Sequence, residues 1–489
     1  MDGLFRHVHQ PDRRGLVLRP DKSWEGGRAS AFSSPIWVPE ESCYKWVYNP
    51  NHKDWSGLAT SKDGIHWEKP CLGIMEFDDS RQNNLISDRR IRKVVHDPDD
   101  PDPRRRFKGL ANKKPVTSPD LIYWHDDGGT DLPGGDSGSL TYDEEKGRFL
   151  APVKISDPDG DSYRQFEIVT SEDFREWSEA RFFFGADDDD QRIALERIRS
   201  WLSDPGRPRP LFVEPPPQLG WSPPPEMRKL PKRRHSWNAQ CNNISIFPYQ
   251  GIYIALITML YPTGSYIPGH QNTTGFFMVE IASTRDLRTW NRLRTPFLEP
   301  ARLDRGVIDN YERMLVQPVN RPLERDDQLW FYYTGGKEHQ GFRDSRYGPG
   351  RYSSYMDGEP RAPGSLSELE RADLEIGQSA LYLATLRLDG FVSLSAGSDG
   401  GRLLTKSLIF VEGELHLNAE IEGSITMELL DESGSRIGVS EPVTGDDVNL
   451  LVSWGEGFHP EDINSPICLD IQLKDASLYS IWTEPRDNG

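Results

Sequence analysis

Thr60-Ser61-Lys62-Asp63-Gly64-Ile65-His66-Trp67 decides the fold, because the pattern returns. Further copies are Thr117-Ser118-Pro119-Asp120 to Trp124, Thr170-Ser171-Glu172-Asp173 to Trp177, and Ser283-Thr284-Arg285-Asp286 to Trp290. A fifth, degenerate copy runs from Leu388-Asp389 to Phe391. In each, a β-rich segment meets a polar turn, where Ser and Asp side chains bond their own backbone, and an aromatic opens the next strand. One such turn is ordinary hairpin chemistry. Four in register are radial repetition.

Working outward from each copy, two β-runs precede it and one follows, so four strands form one blade. Blade one reads as Ser30 to Pro39, Cys43 to Asn49, Ser56 to Thr60 and Trp67 to Leu72. Blade two is the faintest, with Lys93 to His96, Phe107 to Ala111, Pro115 to Thr117 and Tyr123 onward. Blade three is Ser137 to Tyr142, Arg148 to Ile155, Gln165 to Thr170 and Trp177 to Phe184. Blade four is Asn242 to Tyr249, Ile252 to Leu260, Gly275 to Ala282 and Trp290 to Arg294. Blade five is Arg313 to Val319, Gln328 to Thr334, Ala380 to Leu386 and Phe391 to Ser395. The expected fold class is all-β: a five-bladed propeller over residues 1–400, then a β-sandwich over 401–489. The sandwich is read from runs such as Leu415 to Ile421, Ser424 to Leu430 and Ile467 to Lys474, with a hairpin turn at Asp431-Glu432-Ser433-Gly434.

Fourteen Trp, 17 Tyr and 20 Phe beside 43 Gly and 38 Pro suit short strands and many turns. A net charge of -19 opposes a nucleic-acid phosphate backbone as ligand. No run approaches the roughly 20 apolar residues that span a bilayer. Neither a nucleic-acid nor a membrane partner is expected, and a homo-oligomer stays open. Met1 to Gly15 is charged and lacks an apolar stretch, so a cytoplasmic location is expected. Cys43, Cys71, Cys241 and Cys468 lack metal-ligand spacing and read as reduced thiols. No metal and no cofactor are expected.

Two insertions break the rhythm, near 185–235 and 338–378, and long excursions on a rigid scaffold are where sites are built. The first opens at Asp187 to Asp190 and predicts a helix from Gln191 to Leu202. The second carries a capping box at Ser365-Leu366-Ser367-Glu368 and a short helix to Leu374.

In a propeller the innermost strands line the axis, so functional polar groups stand at or before them. Asp136 precedes blade three, and His235-Ser236-Trp237-Asn238-Ala239-Gln240 precedes blade four. Asp309-Asn310-Tyr311-Glu312-Arg313 precedes blade five, and Trp24-Glu25 precedes blade one.

With Trp24-Glu25-Gly26-Gly27, Asp309-Asn310-Tyr311, Leu386 to Ser393 and Leu473-Lys474-Asp475-Ala476, the chain resembles the five-bladed propeller glycoside hydrolases of families 32, 43, 68 and 117. It is most similar to family 32-like bacterial proteins. The resemblance covers nearly the whole chain and implies carbohydrate as substrate. It departs at the catalytic motifs: Ser30 to Pro39 holds no Asp, no Arg-Asp-Pro occurs, and Gln240-Cys241 stands where a Glu-Cys would. Standard fructoside hydrolysis is therefore not implied.

Glycosidic cleavage takes one carboxylic acid to protonate the leaving oxygen and one carboxylate to attack or activate water. Asp136 and Asp309 are the first expected pair, facing each other across the axis, with Glu312, Glu25 and Glu338 as further candidates. A wide axial channel would favour inversion. His235, Asn238, Gln240, Asn310, Arg313 and His339 are candidates to bind hydroxyls, and Trp24, Trp237 and Tyr311 to stack on a sugar. The expected function is hydrolysis of a terminal glycosidic bond in an oligo- or polysaccharide. The alternatives are a non-catalytic glycan-binding propeller and a phosphorylase-like transferase.

Overall fold

The structure is a computed structural model that describes residues 2–50, 55–134, 138–155, 164–208, 210, 213, 236–265, 273–302, 311–312, 315–337, 379–409, 413–455, 458, 460, 463 and 465–484. Two compact units emerge: 13–323 with 331–384, and 1–12 with 324–330 and 385–489.

Five antiparallel sheets form the five blades. Blade two runs Ile91–His96, Phe107–Ala111, Lys114–Ser118, His125–Asp126 from inside outward; blade three runs Thr141–Asp143, Arg148–Ile155, Gln165–Ser171, Arg181–Gly185. Blade four is Gln240–Tyr249, Ile252–Ser265, Thr273–Thr284, Asn291–Leu298. Blade one begins with Ala29–Ser30 and Ile36–Val38 against Cys43–Pro50, then Ser56–Ser61 and Leu85–Ser87. Its expected outer strand, Trp67 to Leu72, makes a single bridge to the third strand, at Glu68 with Thr60, and Leu85–Ser87 resumes the edge after an excursion.

Blade five corrects the sequence reading. Leu315–Pro318, Gln328–Gly336 and Ser379–Arg387 stand as expected, but the outermost strand is Asp12–Leu18 from the beginning of the chain. The degenerate fifth turn leads Val392–Ala396 into another sheet, between Phe5–Val8 and Cys468–Glu484. First and last segments of the propeller thus share one blade, and Asp12–Leu18 covers the edge of Ser379–Arg387.

The repeated turns explain their own recurrence. Ser61, Ser118, Ser171 and Thr284 hydroxyls accept the backbone N–H three residues on, at 2.9, 2.9, 2.9 and 3.1 Å. The Asp carboxylates accept two further N–H groups each, as Asp63 does from Ile65 and His66 at 2.8 Å. The residue after each Asp has positive φ: Gly64, then Leu121, Phe174 and Leu287 at 69°, 64° and 59°. Those three are buried, so core packing holds side chains in a conformation that favours glycine. Partial burial works against ionisation of Asp63 and Asp173, but hydrogen bonds outweigh it and hold both below the usual carboxylate range; in Asp286 the backbone N–H groups of Thr289 and Arg288 lead.

The axis is occupied where the inner strands end. Thr141 Oγ1 donates to Asn320 Oδ1 at 2.8 Å and also reaches the Ile246 carbonyl, while Asn320 donates to the Leu140 carbonyl. Among the described residues, blades three, four and five therefore touch one another at this level.

The first insertion forms a helix, α1 (Asp188–Ser203), three residues earlier than expected because Asp187 caps it and pairs reciprocally with Asp190. Ala194, Ile198 and Trp201 bury one face of α1 in the core of blade four, where Trp201 stacks on Phe276 at 4.0 Å. The expected helix from Ser365 lies outside the described residues.

The second unit is one seven-stranded antiparallel sheet built on two 17-residue strands, Glu414–Leu430 and Cys468–Glu484. Sequence patterning divides the first of these at Gly423, and the register does shift between Ile421 and Ser424. One face is buried along its length, from Leu415 to Leu429 and Leu469 to Leu478, as a single cluster. All four cysteines are free.

Candidate active site

Sequence reasoning names Glu25 and Glu312 as carboxylates ahead of innermost strands, and both are buried. Their surroundings repeat. Glu25 accepts from Tyr48 Oη at 2.7 Å, with Tyr48 on the second strand of blade one; Glu312 accepts from Tyr333 Oη at 2.5 Å, with Tyr333 on the second strand of blade five. A cation from the outer edge of the same blade faces each: Lys69 lies 2.7 and 2.8 Å from the two Glu25 oxygens, and Arg13 Nη1 lies 3.4 Å from Glu312 Oε1.

This is one version of a latch found around the ring. Lys69, Asp126 and Arg292 each stand two residues past the repeated Trp, and each pairs with the segment that leads into its own blade. In blade two the signs are exchanged, Asp126 pairing with Arg89. In blade four Arg292 holds Asp190 at 2.8 and 2.9 Å and Glu280 at 2.8 Å. Blade three ties its linker residue Asp127 to Arg175 at 3.3 Å.

Against that series the two glutamates differ in kind. Glu25 is locked: Lys69, Tyr48 and the backbone N–H of Lys22 all bind it. Glu312 sits in the same frame with a longer ion pair, and burial pushes its proton affinity up, against the lowering pull of Arg13 and the Tyr333 hydrogen bond. A carboxyl whose proton affinity is raised by burial is a better proton donor than an exposed one. Its space is tailored, because a Cβ on Gly335 would stand 2.8 Å from Tyr382 Cε2 and 3.1 Å from Glu312 Cγ. Tyr311 joins this group through its backbone N–H, 2.9 Å from Tyr382 Oη, and Lys337 Nζ lies 4.4 Å above the Tyr311 ring.

At blade four, Trp237 has φ 57°, a left-handed conformation costly for a bulky residue. Such strain concentrates at functional positions. Asn238 Oδ1 accepts from Gln240 Nε2 at 3.0 Å, and both are buried. The Gln191 side chain of α1 grips the Ala239 backbone twice, at 2.9 and 3.0 Å, and so steadies the segment. Trp24 donates to Asn84 Oδ1 at 2.8 Å beside Glu25. Asp136, Asp309, Glu338, His235, Asn310, Arg313 and His339 lie outside the described residues. Arg13, Tyr333, Tyr382 and Gly335 were not legible as site residues; Arg13 falls outside the repeated frame altogether. Among the described residues, no three His, Cys, Asp or Glu side chains group as a metal site would need.

No family model and no curated protein matches this sequence. Among solved structures it is similar to an N-acetylgalactosamine deacetylase from F. plautii (13% identity, 68% of this chain and 86% of that one, TM-score 0.38). It is also similar to an endo-arabinase from Bacteroides thetaiotaomicron (11%, 68% and 95%, TM-score 0.36). A third is the Bombyx mori family 32 β-fructofuranosidase (10%, 94% and 94%, TM-score 0.36). Likenesses of this extent say nothing of the chemistry of this chain. They concern the fold alone.

Proposed function

We propose that the chain hydrolyses a terminal glycosidic bond of an oligo- or polysaccharide, with Glu312 as proton donor. The observation that carries this is a buried carboxyl at the head of blade five's innermost strand, with its proton affinity raised and a tyrosine and a guanidinium upon it. As the bond between the anomeric carbon and the leaving oxygen breaks, the electron pair goes to that oxygen and the Glu312 proton neutralises it. A second carboxylate, from Asp136, Asp309 or Glu338, then either attacks the anomeric carbon or takes the proton of the water that does. Trp237, Asn238, Gln240 and Tyr311, all buried, are the candidates for contacts to the sugar. The contacts among Thr141, Asn320 and Ile246 favour a blind pocket over a through-channel, which suits a chain end as substrate.

Carboxylates suffice for this chemistry, so turnover is expected to survive chelation by EDTA. The test is a panel of aryl glycosides and plant or algal oligosaccharides. Hydrolysis of one class by the wild type, lost about 10²–10⁴-fold in Glu312→Gln, supports the assignment. Binding without cleavage across the panel would make the chain a glycan-binding propeller, and dependence of cleavage on phosphate would make it a phosphorylase.

A further inference from the structure

We propose that Arg13 is a positioning residue for Glu312, through which the N-terminal strand that completes blade five governs the proton donor. The inference rests on the reading of Glu312 given above. In blades one and four the corresponding cations close on their carboxylates at 2.7 and 2.8 Å. Blade five keeps the frame but spaces it at 3.4 Å, with Arg13 also donating to the Glu299 carbonyl. That second bond holds the guanidinium back from full contact. A tighter pair would lower the proton affinity of Glu312, and removal of the cation would raise it. At 3.4 Å the cation offsets part of the effect of burial on Glu312.

The groups facing Glu312 come from every strand around it. Tyr333 donates to it from the second strand, and Tyr382 on the third binds the Tyr311 backbone. Lys337 covers Tyr311, and Arg19 acts on Tyr382 from farther away. Burial keeps Tyr333 and Tyr382 above the ordinary phenol range, so they stay neutral where Glu312 titrates. Among the described residues, Arg13 lies in ion-pair range of the carboxylate, at 3.4 Å.

The experiment is titration of the full-length chain with ¹³Cδ-labelled glutamate by NMR, Glu312→Gln identifying the resonance. Removing the cation should raise the Glu312 midpoint in Arg13→Gln by about one unit, a tenfold gain of the protonated form above it. The shorter Arg13→Lys should move it the same way by less. If Arg13→Gln fails to fold, the Lys variant decides alone. An unchanged midpoint in a folded variant overturns the proposal. In any hydrolysis found, the alkaline limb of the pH–rate profile should move by the same amount. The NMR midpoint does not depend on turnover, so a shift without hydrolysis would sink the function and spare the Arg13 assignment.

Discussion

Glu25 and Glu312 look alike in sequence, one glutamate ahead of an inner strand in each case, and physical chemistry separates them. Glu25 shares a buried ion pair with Lys69, and Asp21 also holds Lys69 at 2.6 Å. Removing one partner of a buried pair strands the other, so Glu25→Gln should cost about 3 kcal/mol in urea unfolding, at the low end of the range because Asp21 remains. Glu312 carries the burial cost of a carboxylate at high pH. Its raised folded-state value means that the contribution of Glu312 to stability is fully present below the ordinary glutamate range and is lost as pH rises through the folded value. Glu312→Gln should therefore be no less stable than the wild type at pH 8, by thermal melting. Gly335→Ala should disturb Glu312 without altering any titrating group, because the new methyl meets Tyr382 and the Glu312 stem.

The blade is the element at which the repeat does its work. Its latch is strong where buried and weak where wet. Arg89 and Asp126 are 37% and 63% exposed, so Arg89→Gln should cost under about 1 kcal/mol. Arg292 is 6% exposed against Asp190 and Glu280, so Arg292→Gln should cost about 3–5 kcal/mol in the same assay. Four blades were legible because a turn needs Ser, Asp and a following aromatic within eight residues, all local. The latch was not, because its partners lie 44 residues apart in blade one and 102 in blade four. Blade five's edge misled for a related reason. Phe391 to Ser395 has the alternation of a strand and the remnant of the turn, whereas Asp12-Arg13-Arg14-Gly15 is polar and holds a glycine, yet the latter pairs in the blade. Glu25, Glu312 and Tyr311 were named from their position ahead of inner strands. Tyr333, Tyr382 and Arg13 converge only through cross-strand packing, which has no local signature.

At the scale of the whole molecule, the propeller closes by joining both ends of its chain segment in one sheet. Deleting residues 2–18 should expose the Ser379–Arg387 edge and give aggregation on size-exclusion chromatography at temperatures where the intact chain is monodisperse or a defined oligomer. The repeated turns also set the acid limit. Asp63, Asp173 and Asp286 are held below the usual range, so their contribution is present above the ordinary aspartate value near 4 and fades as pH falls below it. Thermal melts should accordingly drop steeply below about pH 4. On the proposed function, one member of a repeated structural constellation, Glu312, is turned to chemistry. Its most direct test is turnover of Glu312→Gln and Glu25→Gln side by side on the best substrate of the glycoside panel, each with its melting temperature. Glu312→Gln should melt with the wild type and lose turnover, while Glu25→Gln should melt lower and keep turnover where folded. Full turnover in Glu312→Gln, with loss in a folded Glu25→Gln, would contradict it.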